Sequence, residues 1–454
     1  MKNHFSKMGK ALLNAALLST VGFTSCADDK FHLKDYEDSK PSFLGQSIYH
    51  ELQNRGEYST VLRLIDDLEY AEVLSKTGSK TLFVANDEAY AKFFAEGGNP
   101  WGVRSYDDLS KNQKRVLLNN SMLNNAYVLE MLANTEGGGK NLCLRQGTSA
   151  TASDSVTRWA VTELPATQSA ADIDWFKHLR TKGDSVYMAL DSTDPMMTHF
   201  LEGQMKEKNI TTADIEKIMG NRAWVPADTT SFGFINDCRI IDGDVVCLNG
   251  YIHVLDKVLL APGNMAEIIR SNGNTNYFSA MLDRFAAPYY NEQLTRQYKA
   301  LNDIPADSIF EKRYISNRSQ GGGKVYRRPD GLSFGEQQFL PFDPGWNQYA
   351  VSSSTVKEQD MAAMFVPSDE AMVNYFVKGG GTDLIKRYGI LENTAENLLT
   401  NLYQIPLHLI QPLIQNWMKD SFNESVPSKY LTLVNDAQDQ RFASYTSLED
   451  YKAH

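Results

Sequence analysis

One segment of the chain occurs twice, 282 residues apart, and any fold proposed for the chain has to accommodate both copies. Leu82-Phe83-Val84-Ala85-Asn86-Asp87-Glu88-Ala89, continuing to Phe94 and Gly97-Gly98, aligns with Met364-Phe365-Val366-Pro367-Ser368-Asp369-Glu370-Ala371, continuing to Phe376 and Gly379-Gly380. Self-similarity of this kind marks a duplicated structural unit. Each copy reads as a short buried strand running into a helix. Asn86 or Ser368 is a natural N-cap, and the two acids that follow suit the positive end of the helix dipole. The pairs Asp87-Glu88 and Asp369-Glu370 therefore read as structural, not as catalytic carboxylates. An amphipathic run precedes each copy, Tyr58–Ile65 and Tyr277–Leu282. Two homologous domains are expected.

A chain of 454 residues has room for two to four domains, and its 42% hydrophobic and 22% charged content excludes wholesale disorder. With a formal charge of -11 it has no global field to attract phosphate backbones, so no nucleic-acid partner is expected. The N-terminus points elsewhere. Lys2, Lys7 and Lys10 precede an apolar stretch, Ala11 to Phe23, whose 13 residues are too few to cross a bilayer and read as a secretory signal. The stretch ends in Phe23-Thr24-Ser25-Cys26, which resembles a bacterial lipobox, although Phe23 departs from the usual Leu. That resemblance implies a lipoprotein signal peptide over residues 1–25, lipidation at Cys26 and a linker over 26–41. Ala27-Asp28-Asp29-Lys30 is similar to the acidic tag of surface-exported lipoproteins in some Gram-negative anaerobes. The expectation is an outer-membrane lipid anchor with the protein facing the cell exterior.

Cys143, Cys238 and Cys247 remain, an odd number for an oxidising compartment. Around the last two, Ile235–Ile241 and Val245–Leu248 read as strands split by the hairpin turn Asp242-Gly243. That turn would set Cys238 opposite Cys247 at a spacing that admits a disulfide; two buried free thiols fit equally well.

Thr81-Leu82-Phe83-Val84-Ala85-Asn86-Asp87-Glu88-Ala89-Tyr90 and Ala363-Met364-Phe365-Val366-Pro367-Ser368-Asp369-Glu370-Ala371-Met372 resemble the first signature of fasciclin domains. Asn249-Gly250-Tyr251-Ile252-His253-Val254-Leu255-Asp256-Lys257-Val258-Leu259 resembles the second. The resemblance implies an α+β fold: tandem fasciclin-like domains, each a small, mostly antiparallel sheet wedge with packed helices. The first would span 42–262 with an insertion at about 150–233, and the second 263–454 with an insertion at about 286–360. The signature residues Phe83, Asp87, Glu88, Asn249, Gly250, His253, Asp256, Phe365, Asp369 and Glu370 are expected to be structural. Where family members often carry a Tyr-His pair, this chain has Leu117-Leu118-Asn119-Asn120, so no partner contact carries over from that pair. The second domain lacks a second signature, and only 89 residues follow Phe365 where 177 separate Phe83 from Leu260. The expectation is that the sequence stops inside a longer natural protein.

No reaction centre stands out. Eight scattered histidines without metal-ligand spacing imply no metal, no cofactor is indicated, and His253 reads as a satisfied core histidine. Asp242-Gly243-Asp244 reads as a turn in preference to a calcium loop. Ser354-Thr355-Val356-Lys357 fits the Ser-x-x-Lys pattern of penicillin-recognising enzymes, but Lys76-Thr77-Gly78 comes before it, in the wrong order. Binding features are richer. Trp159, Trp175 and Trp224 lie in the first insertion, and Trp346, Arg327 and Arg328 in the second, among many tyrosines. These six are the candidate contact residues for a protein or glycan ligand; packing of the insertions onto the domain cores explains the aromatics equally well. Asp-Ser/Thr triplets such as Asp154-Ser155-Val156 and Asp307-Ser308-Ile309 resemble an O-glycosylation motif and are equally natural turns. The reading is a non-enzymatic surface lipoprotein acting in adhesion or ligand binding. The alternatives are an accessory subunit of a TonB-dependent outer-membrane nutrient importer and a serine enzyme using Ser354 and Lys357.

Overall fold

The structure is a computed structural model that describes residues 45–76, 78–133, 145–160, 185–189, 196–201, 211, 233–261, 263–302, 308–317, 339–345, 357–358 and 363–419. Everything below lies within Ser47–His454.

Helix α1 (Ile48–Arg55) starts at Ser47, whose hydroxyl accepts the His50 N–H, and ends at Gly56 with φ 74°. A left-handed residue there closes the helix at no Cβ cost. Helix α2 (Ser59–Asp67) buries Val61, Leu64 and Ile65, the stripe its spacing foretold. After α3 (Ala71–Lys76), strand β1 (Lys80–Ala85) runs into α4 (Asp87–Phe94), where Asn86 accepts the Ala89 N–H as expected. Ser110 and Gln113 form a reciprocal capping box on α5 (Lys111–Asn120), which precedes β2 (Met122–Leu123) and α6 (Leu129–Ala133).

Strands follow: β3 (Arg145–Gly147), β4 (Val156–Ala160), β5 (Ser185–Ala189), β6 (Met196–Leu201), β7 (Gly233–Ile235), β8 (Cys238–Cys247) and β9 (Gly250–Leu255). Next come α7 (Met265–Ser271), α8 (Asn276–Asp283), β10 (Ala286–Tyr290), α9 (Glu292–Asn302), β11 (Ile309–Tyr314) and β12 (Lys357–Glu358). The final described stretch holds β13 (Ala363–Met364), α10 (Asp369–Val373), a π-helical turn at Asn374–Lys378, α11 (Thr382–Tyr388), α12 (Leu398–Leu402), α13 (Leu407–Gln415) and β14 (Met418–Lys419).

The arrangement is α+β. The larger sheet has the order β12-β3-β6-β7-β8-β9-β1-β2, antiparallel throughout except for the β1–β9 pair. It is wider than the small wedge expected, because β6 and β12, from the two segments read as insertions, join it. Above β1 and β9 lies a core of helix residues including Ile48, Leu52, Leu64, Ile65 and Leu117, and below them a second layer including Phe83, Leu123, Ile235 and Leu255.

Both segments also build a second sheet together, in the order β10-β11-β5-β4. Strands β4 and β5 come from the first segment and β10 and β11 from the second, joined by the parallel β11–β5 pair. Side chains alternate across a strand, so the register assigns the two faces. One face carries Val156, Ala189 and Ile309, which pack with Leu294 and Tyr298 of α9. The other carries Trp159, Lys312 and Tyr314, and Tyr314 belongs to the core that α7, α8 and α10–α13 build around Phe278, Phe376 and Ile410. The described strands β4, β5, β10 and β11 of the two segments therefore form one structural layer.

The two copies of the repeat share their wiring. Asp87 accepts the backbone N–H groups of Ser59 (2.9 Å) and Thr60 (2.8 Å), so it caps α2, a helix whose own N-cap Tyr58 makes no side-chain bond. Asp369 does the same for α8, accepting the Tyr277 N–H at 3.0 Å and the Asn276 amide at 2.8 Å, where Thr275 makes no cap bond. Phe83 N–H donates to Ser121 O (2.8 Å) and Phe365 N–H to Trp417 O (2.9 Å), setting β1 on β2 and β13 on β14 alike. Asn264 caps α7 as Ser47 caps α1. The caps and helices match at a spacing of 217 and the signatures at 282, so the 65 additional residues in the second copy fall between α8 and β13. The π turn is a local insertion of one residue. It makes Phe376 (1% exposed) the counterpart in burial of Phe93 (5%), leaving Tyr375 at 40%.

Replacing Asp87 or Asp369 with Ala is expected to cost about 1–2 kcal/mol of stability each, the loss of a helix cap, with Asn retaining most of it. Urea unfolding of the single and double variants checks this.

Candidate functional site: signature strands and insertion sheet

The second signature is a hub of backbone contacts. Gly250 has φ 148°, and a Cβ there would lie 1.8 Å from Lys80 O, so only glycine lets β9 approach β1. Asn249 accepts the Ile48 N–H (2.9 Å), donates to Leu74 O (2.9 Å), and its carbonyl accepts the Lys80 N–H (3.0 Å). One residue thus ties α1 and α3 through its side chain and β1 through its backbone. Asp256 accepts the Arg239 N–H at 2.7 Å, fixing the far end of the β8–β9 pair.

His253 is fully buried, with its ring 5.0 Å from that of Phe83. Its Nδ1 accepts the Asp244 N–H at 3.0 Å, which leaves the proton on Nε2 to donate to Tyr127 O at 3.0 Å. Both nitrogens are used, and burial lowers the pKa, so the imidazole is a neutral structural group, as expected. The bond also explains a correction. Asp242-Gly243-Asp244 is not a hairpin turn but a bulge within β8, where the register slips and Asp244 sits at φ 58°. His253 holds the bulge from one side and Asp244 accepts the Leu129 N–H at 2.8 Å on the other. The hairpin turns lie on either side, at Asn236-Asp237 and Leu248-Asn249.

Cys238 and Cys247 therefore occupy opposite ends of one strand, about 30 Å apart at the rise of a strand. Of the two readings open for this pair, a disulfide or free thiols, the structure has both as free, buried thiols. Burial raises the pKa of each, that of Cys247 to about 12. Neither is poised for redox chemistry.

Glu88 and Glu370 are exposed, and Glu88 pairs with Lys92 at 2.8 Å. For Asp87, burial pushes the carboxyl up but the Thr60 and Ser59 donors outweigh it and hold the group low. Of the six contact candidates, Trp159 alone is described; Trp175, Trp224, Trp346, Arg327 and Arg328 lie outside the described residues, as do Cys26 and Ser354. Lys357 lies on β12.

Trp159 is half-buried. Its indole donates to Thr157 Oγ1 at 3.0 Å and stacks with Arg270 at 5.3 Å and Lys312 at 6.0 Å from the ring centroid. Beneath it is a charge cluster that sequence reasoning missed. Asp283, at the end of α8, accepts from Lys312 (2.5 Å), Tyr314 (2.6 Å) and Arg270 (3.1 Å). Burial pushes the Asp283 carboxyl up, but Lys312 and Arg270 outweigh it and bring it to about 2. Burial, which Asp283 only partly offsets, pulls Lys312 down to about 8, with Arg270 adding to the fall. The sequence held one faint signal: three charged residues in succession, Glu311-Lys312-Arg313, in an otherwise apolar strand.

A family model of the fasciclin domain matches residues 185–261, from β5 through the second signature. This stretch of the chain is similar to a fasciclin domain. A search of curated proteins gives no match. Fasciclin domains are generally non-enzymatic binding domains, and their presence suggests a protein of the cell-adhesion or binding type. Among the described residues there is no cluster able to hold a metal ion and no helix long and apolar enough to cross a membrane.

Two outcomes are expected. A maleimide should label Cys238 and Cys247 only after denaturation, each singly, with no reductant required. Because His253 has its pKa lowered in the fold, the unfolded chain takes up the proton first, so stability is full above the ordinary value near 6.5 and declines below it. His253→Asn should cost about 2–3 kcal/mol at pH 7.5 and flatten that acid slope, read by urea unfolding across pH 5 to 8.

Proposed function

We infer that the protein is a non-enzymatic, lipid-anchored surface protein in which two fasciclin-like repeats form the frame and the segments between their helices and strands carry the binding function. The observation that carries this reading is how fully the signature residues are occupied. Asp87, Asn249, Gly250, His253, Asp256 and Asp369 spend their polar groups or their space on backbone contacts within the chain. A frame so occupied has little left with which to act on a substrate.

The shared wiring of the two copies supports a tandem arrangement. Membrane attachment rests on Lys2, Lys7, Lys10, the short apolar stretch and Cys26. Trp175, Trp224, Trp346, Arg327 and Arg328 are the proposed contact residues. Trp159 is proposed with them; its half-buried ring also lies over Arg270 and Lys312.

A mild-detergent pull-down of tagged protein from outer membranes, with intact mass of the bait, tests the reading. Lipidated bait recovered without a stoichiometric partner, and its loss from the membrane fraction in Cys26→Ser, is the expected result. A stoichiometric TonB-dependent transporter would replace the adhesin reading with the importer-accessory one. Bait of unmodified mass in the soluble fraction would sink the anchor.

A further inference from the structure

The insertion sheet meets the second helical core through a few charged side chains. From α7 come Glu267 and Arg270, from α8 Asp283, from β11 Lys312 and Tyr314, and from the segment at 339–345 Asp343, whose carboxylate accepts the Tyr314 N–H (3.2 Å) and the Gly345 N–H (2.8 Å). Trp159 of β4 covers two of the cations. Lys312 is 3% exposed in its side chain and Asp283 17%.

We propose that Asp283 is the keystone of a latch that fastens the insertion sheet to the second helical core, bonding Arg270 on one side and Lys312 and Tyr314 on the other beneath the indole of Trp159. Three observations support it. All donors converge on one carboxylate: Lys312 and Tyr314 at 2.5 and 2.6 Å and Arg270 at 3.1 Å. The donors come from both sides of the boundary, whereas the caps at Asp87 and Asp369 act within one repeat each. Finally, two cations share this acid, so the cluster is not fully relieved by closing. A buried pair missing one partner is far costlier than either the intact pair or an apolar replacement. The two kinds of residue therefore have opposite roles, Asp283 holding the layers together and Lys312 straining them.

The pH dependence follows in sign. Closed, Lys312 loses its proton near pH 8; open, at its ordinary value near 10.5. The open form binds more protons between these values, so closing becomes more favourable as pH rises through that window. Asp283 works in the opposite range. Its contribution is complete above the ordinary carboxylate value and is lost as pH falls towards about 2.

Hydrogen exchange of the full-length protein reads the latch directly, by the ratio of exchange in β4 and β11 to that in β9. Asp283→Asn should raise the ratio by at least about tenfold, as local opening does, with β9 unchanged. Lys312→Met should lower the ratio at pH 7 and abolish its fall between pH 8 and 10. An equal rise in all three strands, or no change in Asp283→Asn, overturns the proposal. So does a Lys312→Met variant that keeps the wild-type pH slope, a result independent of whether Asp283→Asn folds.

Discussion

A carboxylate that terminates a helix it does not belong to is the bond on which each half of this chain depends. Asp87 and Asp369 sit in the first turn of one helix and satisfy the free N–H groups of another, α2 or α8. The first-turn acids read from sequence as partners of their own helix dipole, and they are placed there. Their larger role is to fix the angle and depth at which two helices meet over β1 or β13. One backbone donor is common to both copies, Thr60 N–H or Tyr277 N–H; the second is the Ser59 N–H in the first copy and the side-chain amide of Asn276 in the other. The bond also explains why the chain tolerates 65 additional residues between α8 and β13: the closure they interrupt is restored by one side chain.

The second closure differs between the copies. In the first, Asn249 accepts the Ile48 N–H at the start of α1. At the start of α7 the Ala266 N–H donates instead to Pro344 O at 3.2 Å, and Gly345 lies against Tyr314. A loop of the second insertion does for α7 part of what the second signature does for α1. The same substitution recurs on α5 and α13. Arg115 donates to Leu301 O (2.5 Å) and Asn302 (3.0 Å), holding the negative end of α9, while Gln411 donates to Phe339 O at 3.0 Å. Both polar side chains are buried, and both hold segments of the same insertion.

These contacts mark what a sequence can and cannot disclose. The caps Asn86 and Ser368 and the amphipathic stripe of α2 are legible because each follows from residues within a few positions of one another, and the repeat is legible because the chain can be compared with itself. The hairpin was misplaced for a related reason. Asp242-Gly243 has ideal turn chemistry, but the turn also needs both flanks to pair with each other, and β8 pairs instead with β7 and β9. The bulge that replaces the turn depends on His253 and Leu129, and no local pattern records either. The insertion sheet was invisible for the stronger reason that its central pair, β5 and β11, joins residues more than 100 positions apart. The neighbours of Trp159, Arg270 and Lys312, are likewise more than 100 positions away from it in sequence.

The same distinction bears on where function resides. A frame held by neutral, fully used bonds, such as those of Asn249 and His253, gains nothing from opening, since every group would be traded for an equivalent bond to water after an ordering cost has been met. The junction at Asp283 is different. Burying charge costs more than burying apolar groups of the same volume, so a cluster of this kind is poorly explained by stability alone. It makes attachment of the insertion sheet depend on Lys312 and Asp283, groups that take no part in the caps at Asp87 and Asp369. A chain that keeps its frame rigid and ties its variable layer down by ionisable bonds can change the presentation of that layer without unfolding the domain that anchors it.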